Sequence, residues 1–126
     1  MSATPDFSLA LLGAGNMGGA MLGGWLSRGL DPALVTIIDP SPSPAMASLI
    51  AEAGIRQFAE TPAGLVADVV ILAVKPQIMD AVLPKAASLM GENSVAVSIA
   101  AGKTIASLEK GLGKPHPAIV RAMPNT

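Results

Sequence analysis

Cysteine and tyrosine are absent from this chain, and its aromatic residues are two Phe and one Trp. Without cysteine there is no disulfide framework and no thiolate metal centre, and no metal site is expected. Charge is scarce as well: Asp, Glu, Lys and Arg make up 13% of the residues, 8 basic against 9 acidic. That balance leaves no basic footprint for nucleic acid. No apolar run reaches the ~18 residues of a membrane-spanning helix, because Gly, Asp, Ser, Lys or Pro breaks each one. Met1 to Asp6 carry no basic stretch, and the apolar segment that follows meets Gly13 within a few residues, so no secretory signal is read there. These absences leave a cytoplasmic location as the expectation. What is present is apolar: 51% of 126 residues, with 13 Gly and 11 Pro. That is enough chain for one domain and too little for two, and it is too apolar for a disordered segment.

Short β-branched runs alternate with segments rich in Ala, Leu and Met. Strands are expected over Phe7 to Leu12, Leu34 to Ile38, Ile55 to Phe58, Asp68 to Val74, Ser94 to Ile99 and Ala118 to Ala122. The runs from Asp68 and from Val95 are continuously apolar rather than alternating, which marks strands covered on both faces. Helices are expected over Asn16 to Arg28, Pro44 to Ala53, Thr61 to Val66, Gln77 to Met90 and Thr104 to Leu112. Thr61-Pro62 reads as an N-cap with Pro in the first turn, and Gly29 and Gly54 stand where a helix closes on a left-handed residue. Pro84 falls inside the fourth helix, which predicts a kink or two short helices. Pro40 to Pro44 reads as a stiff surface loop. The alternation implies an α/β fold, a doubly wound parallel sheet in three layers with right-handed crossovers.

Gly13-Ala-Gly15-Asn16-Met17-Gly18 ends the first strand and opens the first helix. The first glycine permits a tight turn, the second lets a pyrophosphate approach bare backbone, and the third lets helix pack on strand. The anion then meets unpaired N–H groups at a helix N-terminus. The plainer alternative is a Gly-rich turn whose helix packs through Gly19, Gly23 and Gly24. The apolar strand before the motif and the alternation after it favour a dinucleotide. Asp39 closes the second strand about 20 residues beyond Gly18, where a carboxylate accepts hydrogen bonds from an adenosine ribose. A carboxylate there repels a 2′-phosphate and favours NAD, whereas Ser41 and Ser43 offer hydroxyls to one, and no Arg or Lys lies in Pro40 to Met46. The choice between NADP and NAD stays open, as does the simpler reading of Asp39 as a turn-former before Pro.

Three further segments end strands at the same sheet edge: Ala73-Val74-Lys75-Pro76-Gln77, Ser98-Ile99-Ala100-Ala101-Gly102 and Arg121-Ala-Met-Pro-Asn125-Thr126. In an open parallel sheet, ligands bind outside the carboxyl ends of the strands. The small residues Ala100, Ala101 and Gly102 let a flat nicotinamide lie against backbone. Lys75 also reads as a solvated lysine at a strand end, and Ala-Ala-Gly as close packing.

Taken in order and spacing, the four motifs resemble pyrroline-5-carboxylate reductase over almost the whole chain. Lys-Pro-Gln and Met-Pro-Asn-Thr are more specific than the glycine loop. The resemblance implies a Rossmann-like N-terminal domain that binds NAD(P)H. It also implies reduction of the imine of 1-pyrroline-5-carboxylate to proline, the last step of proline biosynthesis. It places Ser41 near the adenosine 2′-phosphate, and Ala73 to Pro76 and Ala100 to Gly102 against the ribose and nicotinamide. The expected cofactor-binding set is Gly13, Gly15, Asn16, Met17, Gly18, Asp39, Ser41, Ala73, Val74, Lys75, Pro76, Ala100, Ala101, Gly102 and Asn125. Asp39 departs from the small residue expected of an NADP-preferring member.

In the family a C-terminal helical domain makes the dimer and completes the substrate pocket. Residues 1–126 are therefore expected to be the dinucleotide-binding domain of something longer, inactive alone and a homo-oligomer at full length. Part of the apolar surface is expected to be an interface. Hydride transfer asks little acid–base machinery of the protein, so no residue is assigned as catalytic. His116, between Pro115 and Pro117, reads as a surface-loop residue. Two other readings stand beside this one: a β-hydroxyacid-type dehydrogenase domain, and a non-catalytic module that senses NAD(P).

Overall fold

A computed structural model describes residues 7–13, 16–99, 104–113 and 118–122. Six strands form one sheet: β1 (Leu9–Leu12), β2 (Val35–Ile38), β3 (Arg56–Phe58), β4 (Ala67–Leu72), β5 (Met90–Ser98) and β6 (Ala118–Arg121). Among the described residues four α-helices accompany them: α1 (Asn16–Ser27), α2 (Pro44–Ala53), α3 (Met79–Ser88) and α4 (Ile105–Leu112). The strand order is β3-β2-β1-β4-β5-β6, and every pairing is parallel. The first strand therefore lies inside the sheet, with β2 on one side and β4 on the other. β1 registers Leu9 to Leu12 against Val35 to Ile38 and against Val69 to Leu72.

Parallel strands buried on both faces demand apolar side chains in both directions, and all four residues of β1 and of β2 are buried. On one face Leu11, Val35, Ile37 and Ile71 pack with Leu22 of α1 and Met46 of α2. On the other, Leu12, Val70, Leu72 and Ala96 pack with Met79 and Leu83 of α3 and Leu108 of α4. Each of the Leu, Val, Ile and Met side chains among them contributes about 1.5–3 kcal/mol when fully buried. Coverage is uneven. Among the described residues, the α1 face of β4 and β5 beyond Trp25 carries an apolar groove of ≈ 520 Å³ that Phe7, Trp25, Val69, Ile71 and Val97 help to line.

The expected helix ends are met at Gly29 (φ 102°) and Gly54 (φ 71°). Ser43 caps α2 by accepting from Met46 N at 3.2 Å, with Pro44 in the first turn. Three expectations are corrected. Thr61 to Val66 is not helical: the left-handed backbone of Gly64 (φ 80°) makes a turn at Ala63-Gly64 that stops a helix before it can form. Pro84 does not split α3, which runs through it because the exposed ring faces solvent while Met79, Leu83 and Ala86 stay buried. The segment instead opens with a separate 3₁₀ turn, Pro76–Ile78. β5 begins at Met90 rather than Ser94, since Met90 pairs with Ala67 ahead of a register shift. Ser94 Oγ holds that irregularity, accepting from Gly91 N at 2.8 Å and donating to Ala67 O at 2.5 Å.

Candidate functional site

Gly13 follows the carboxyl end of β1 between its two neighbours, where the connections from β2 and β4 run to opposite sides. Gly13 is buried there at φ 97°, and its N–H donates to Ile38 O at 3.1 Å. A Cβ at this position would meet Ala73 O at 2.8 Å and Val74 Cγ1 at 3.1 Å. Ala73 N in turn donates to Leu12 O at 2.8 Å. Gly13 thus answers two demands, a left-handed backbone and close approach to the end of β4. Asn16, Met17 and Gly18 form the first turn of α1.

Asp39 follows β2 and is tied to β3 and to its own loop. Its N–H donates to Phe58 O at 2.9 Å, its Oδ1 accepts from Ser41 N at 2.7 Å, and its carbonyl accepts from Gln57 Nε2 at 2.6 Å. The carboxylate therefore closes an Asx turn over Pro40. Ser41 is exposed, while Ser43 is committed to capping α2.

Between these ends opens a cleft of ≈ 320 Å³. Leu12, Gly13 and Asp39 line it from β1 and β2, and Val74 from the end of β4. The cleft is completed by Ala59 and by Ile78, Ala81, Val82 and Lys85. Those last four recur at helical spacing, so one face of α3 and its leading turn forms a wall while Met79, Leu83 and Ala86 face the core. Lys85 Nζ bonds Glu60 Oε2 at 2.9 Å.

The structure brings Gly13, Asp39 and Val74 together on this cleft, with Ala73 directly beneath Gly13. Lys75 and Pro76 are exposed and lead into the 3₁₀ turn, where Lys75 O accepts from Ile78 N at 3.1 Å, and neither lines the cleft. Gly15, Ala100, Ala101, Gly102, Asn125 and His116 lie outside the described residues. Gln57, Ile78, Ala81, Val82 and Lys85 were not expected here. For the last four the available signal was their i, i+3, i+4, i+7 spacing; Gln57 offered none, because its link to Asp39 depends on the pairing of β2 with β3.

A parallel sheet in this order, with Gly13 at its crossing point and a carboxylate after β2, defines a Rossmann-like α/β fold. The family described as NADP oxidoreductase, coenzyme F420-dependent, matches residues 8–102, and the chain belongs to it. Among curated proteins it is 42% identical to the pyrroline-5-carboxylate reductase of Pseudomonas aeruginosa and 40% identical to that of Escherichia coli, each over 94% of this chain. Those alignments cover 43% and 44% of the two reductases, so the chain spans less than half the length of the relatives it matches. The solved pyrroline-5-carboxylate reductase of Coxiella burnetii superposes with a TM-score of 0.84 at 32% identity, over 97% of this chain and 45% of that one. The Plasmodium falciparum enzyme, solved with NADP bound, shares the fold at a TM-score of 0.76 and 24% identity. No helix among the described residues is long and apolar enough to cross a membrane.

Proposed function

We propose that residues 1–126 are the dinucleotide-binding domain of a pyrroline-5-carboxylate reductase, which reduces 1-pyrroline-5-carboxylate to proline with NAD(P)H. The observation that carries this reading is the identity above 40% to a reductase of that name, running through the segments that build the cleft. The residues present suit the cofactor. Gly13 and Asp39 line the cleft, the latter with a carboxylate able to accept from a ribose hydroxyl, and Ile78, Ala81 and Val82 offer an apolar wall to a base.

The bound dinucleotide supplies hydride to the imine carbon. The chain's own task is to bind and orient, and a protonated imine brings its own proton to nitrogen, so no acid is required of these residues. Gly15, Asn16, Met17, Gly18, Ser41, Ala73, Val74, Ala100 to Gly102 and Asn125 belong to the same proposed cofactor site, and Lys75 and Pro76 to its outer edge, beside the cleft rather than on it. The Asp39 carboxylate favours NADH over NADPH. Self-association of the longer protein is part of the proposal.

The test is a chimera in which this chain replaces the matching segment of the Pseudomonas reductase, assayed for dinucleotide oxidation dependent on pyrroline-5-carboxylate. Turnover with the imine is expected. A chimera that folds and binds NAD(P)H yet makes no proline would sink the reading and leave a sensing module.

A further inference from the structure

The outer part of the cleft carries a charged clasp. Lys85 lies one turn beyond Val82 on the α3 face that walls the cleft, and it is the only cation among the described lining residues. Its partner Glu60 follows Ala59, itself a lining residue. The two side chains are 49% and 75% exposed, and exposed pairs of this kind contribute little to stability, so either partner is easily exchanged for another.

We propose that Lys85 is a specificity-determining residue that recognises the 2′-phosphate of NADPH, with Glu60 as its competitor. This rests on the dinucleotide reading of the cleft. NADH and NADPH differ by one phosphate on the adenosine ribose. Asp39 repels that phosphate, whereas a lysine ammonium on a flexible stem attracts it. Glu60 holds the same ammonium and adds a negative charge nearby, so it opposes the phosphate twice. Cofactor preference is then a balance among charges from three segments: the turn after β2, the connection after β3, and α3. The absence of Arg and Lys from Pro40 to Met46 therefore does not make the site NAD-specific, because the cation arrives from elsewhere in the fold.

The experiment measures Kd for NADPH and for NADH on the parent chain, Lys85→Gln and Glu60→Gln by calorimetry, at low and high salt, with a thermal melt of each. Lys85→Gln should weaken NADPH about fivefold, the scale of one partly exposed charged contact, and leave NADH within about twofold. Glu60→Gln should tighten NADPH about two- to threefold, an effect that fades with salt. An NADPH:NADH ratio unchanged in both variants overturns the proposal, as does a variant that melts early without moving that ratio. If the parent chain binds neither dinucleotide, the reading of the cleft falls and this assignment falls with it.

Discussion

Gly13 is the residue on which the site turns. Its positive φ alone disfavours any side chain, by about 1–2 kcal/mol, and the carbonyl of Ala73 at 2.8 Å from an ideal Cβ adds a steric cost that backbone cannot easily relieve. Gly13→Ala is expected to destabilise the chain by roughly 2–4 kcal/mol and to weaken NADH and NADPH alike, as read by urea unfolding and calorimetry. A variant with native stability and native affinity would show that the turn tolerates a methyl group. That a strand ends at Gly13 and a helix opens at Asn16 was legible, because G-x-G-x-x-G between a strand and a helix has a local meaning. The contact with Ala73 was not, since it depends on β4 lying beside β1. Asp39 divides in the same way: its spacing from the glycines and its turn over Pro40 to Ser41 are local and could be read, while the grip of Gln57 follows from tertiary placement.

At the scale of elements, apolar runs and caps carried most of the reading. Five of the six strands begin within two residues of their expected starts, and α2 keeps its expected bounds. The failures share a cause: local signals overruled by neighbours. Thr61-Pro62 has cap chemistry but the left-handed turn at Gly64 behind it, and the Gly91-Glu-Asn-Ser94 stretch looks like a turn until Met90 pairs with Ala67. Between α3 and α4 a different constraint appears. A Cβ on Gly111 would collide with the Leu83 side chain, including its Cβ at 3.0 Å, so the two helices meet where one has no side chain. Gly→Ala in an ordinary helix gains about 1 kcal/mol. Gly111→Ala should instead lose about 1–2 kcal/mol, because overpacking outweighs propensity, and should lower the urea midpoint. A rise in that midpoint would mean that α4 shifts freely on α3.

At the scale of the whole molecule, composition and alternation announced a parallel α/β sheet but not its order, which no local pattern encodes. The order places β1 between a strand that follows it closely and one reached only after α2, β3 and a further turn. Ser8 and Asp68, which join β1 to β4 through bonds of 3.0 Å, stand 60 residues apart. The proposed cleft exists only when both sides have docked, so no half of the chain can hold the ligand by itself. Binding is then linked to global rather than local unfolding, and a dinucleotide at 100 times its Kd should add about 2.7 kcal/mol. For a domain of this size that is a rise of roughly 10 °C in Tm. Hydrogen exchange should slow together in β1, β2 and β4. Protection confined to the glycine turn would mean that the ligand clasps a loop; protection shared by all three strands would mean that it counts only fully assembled molecules.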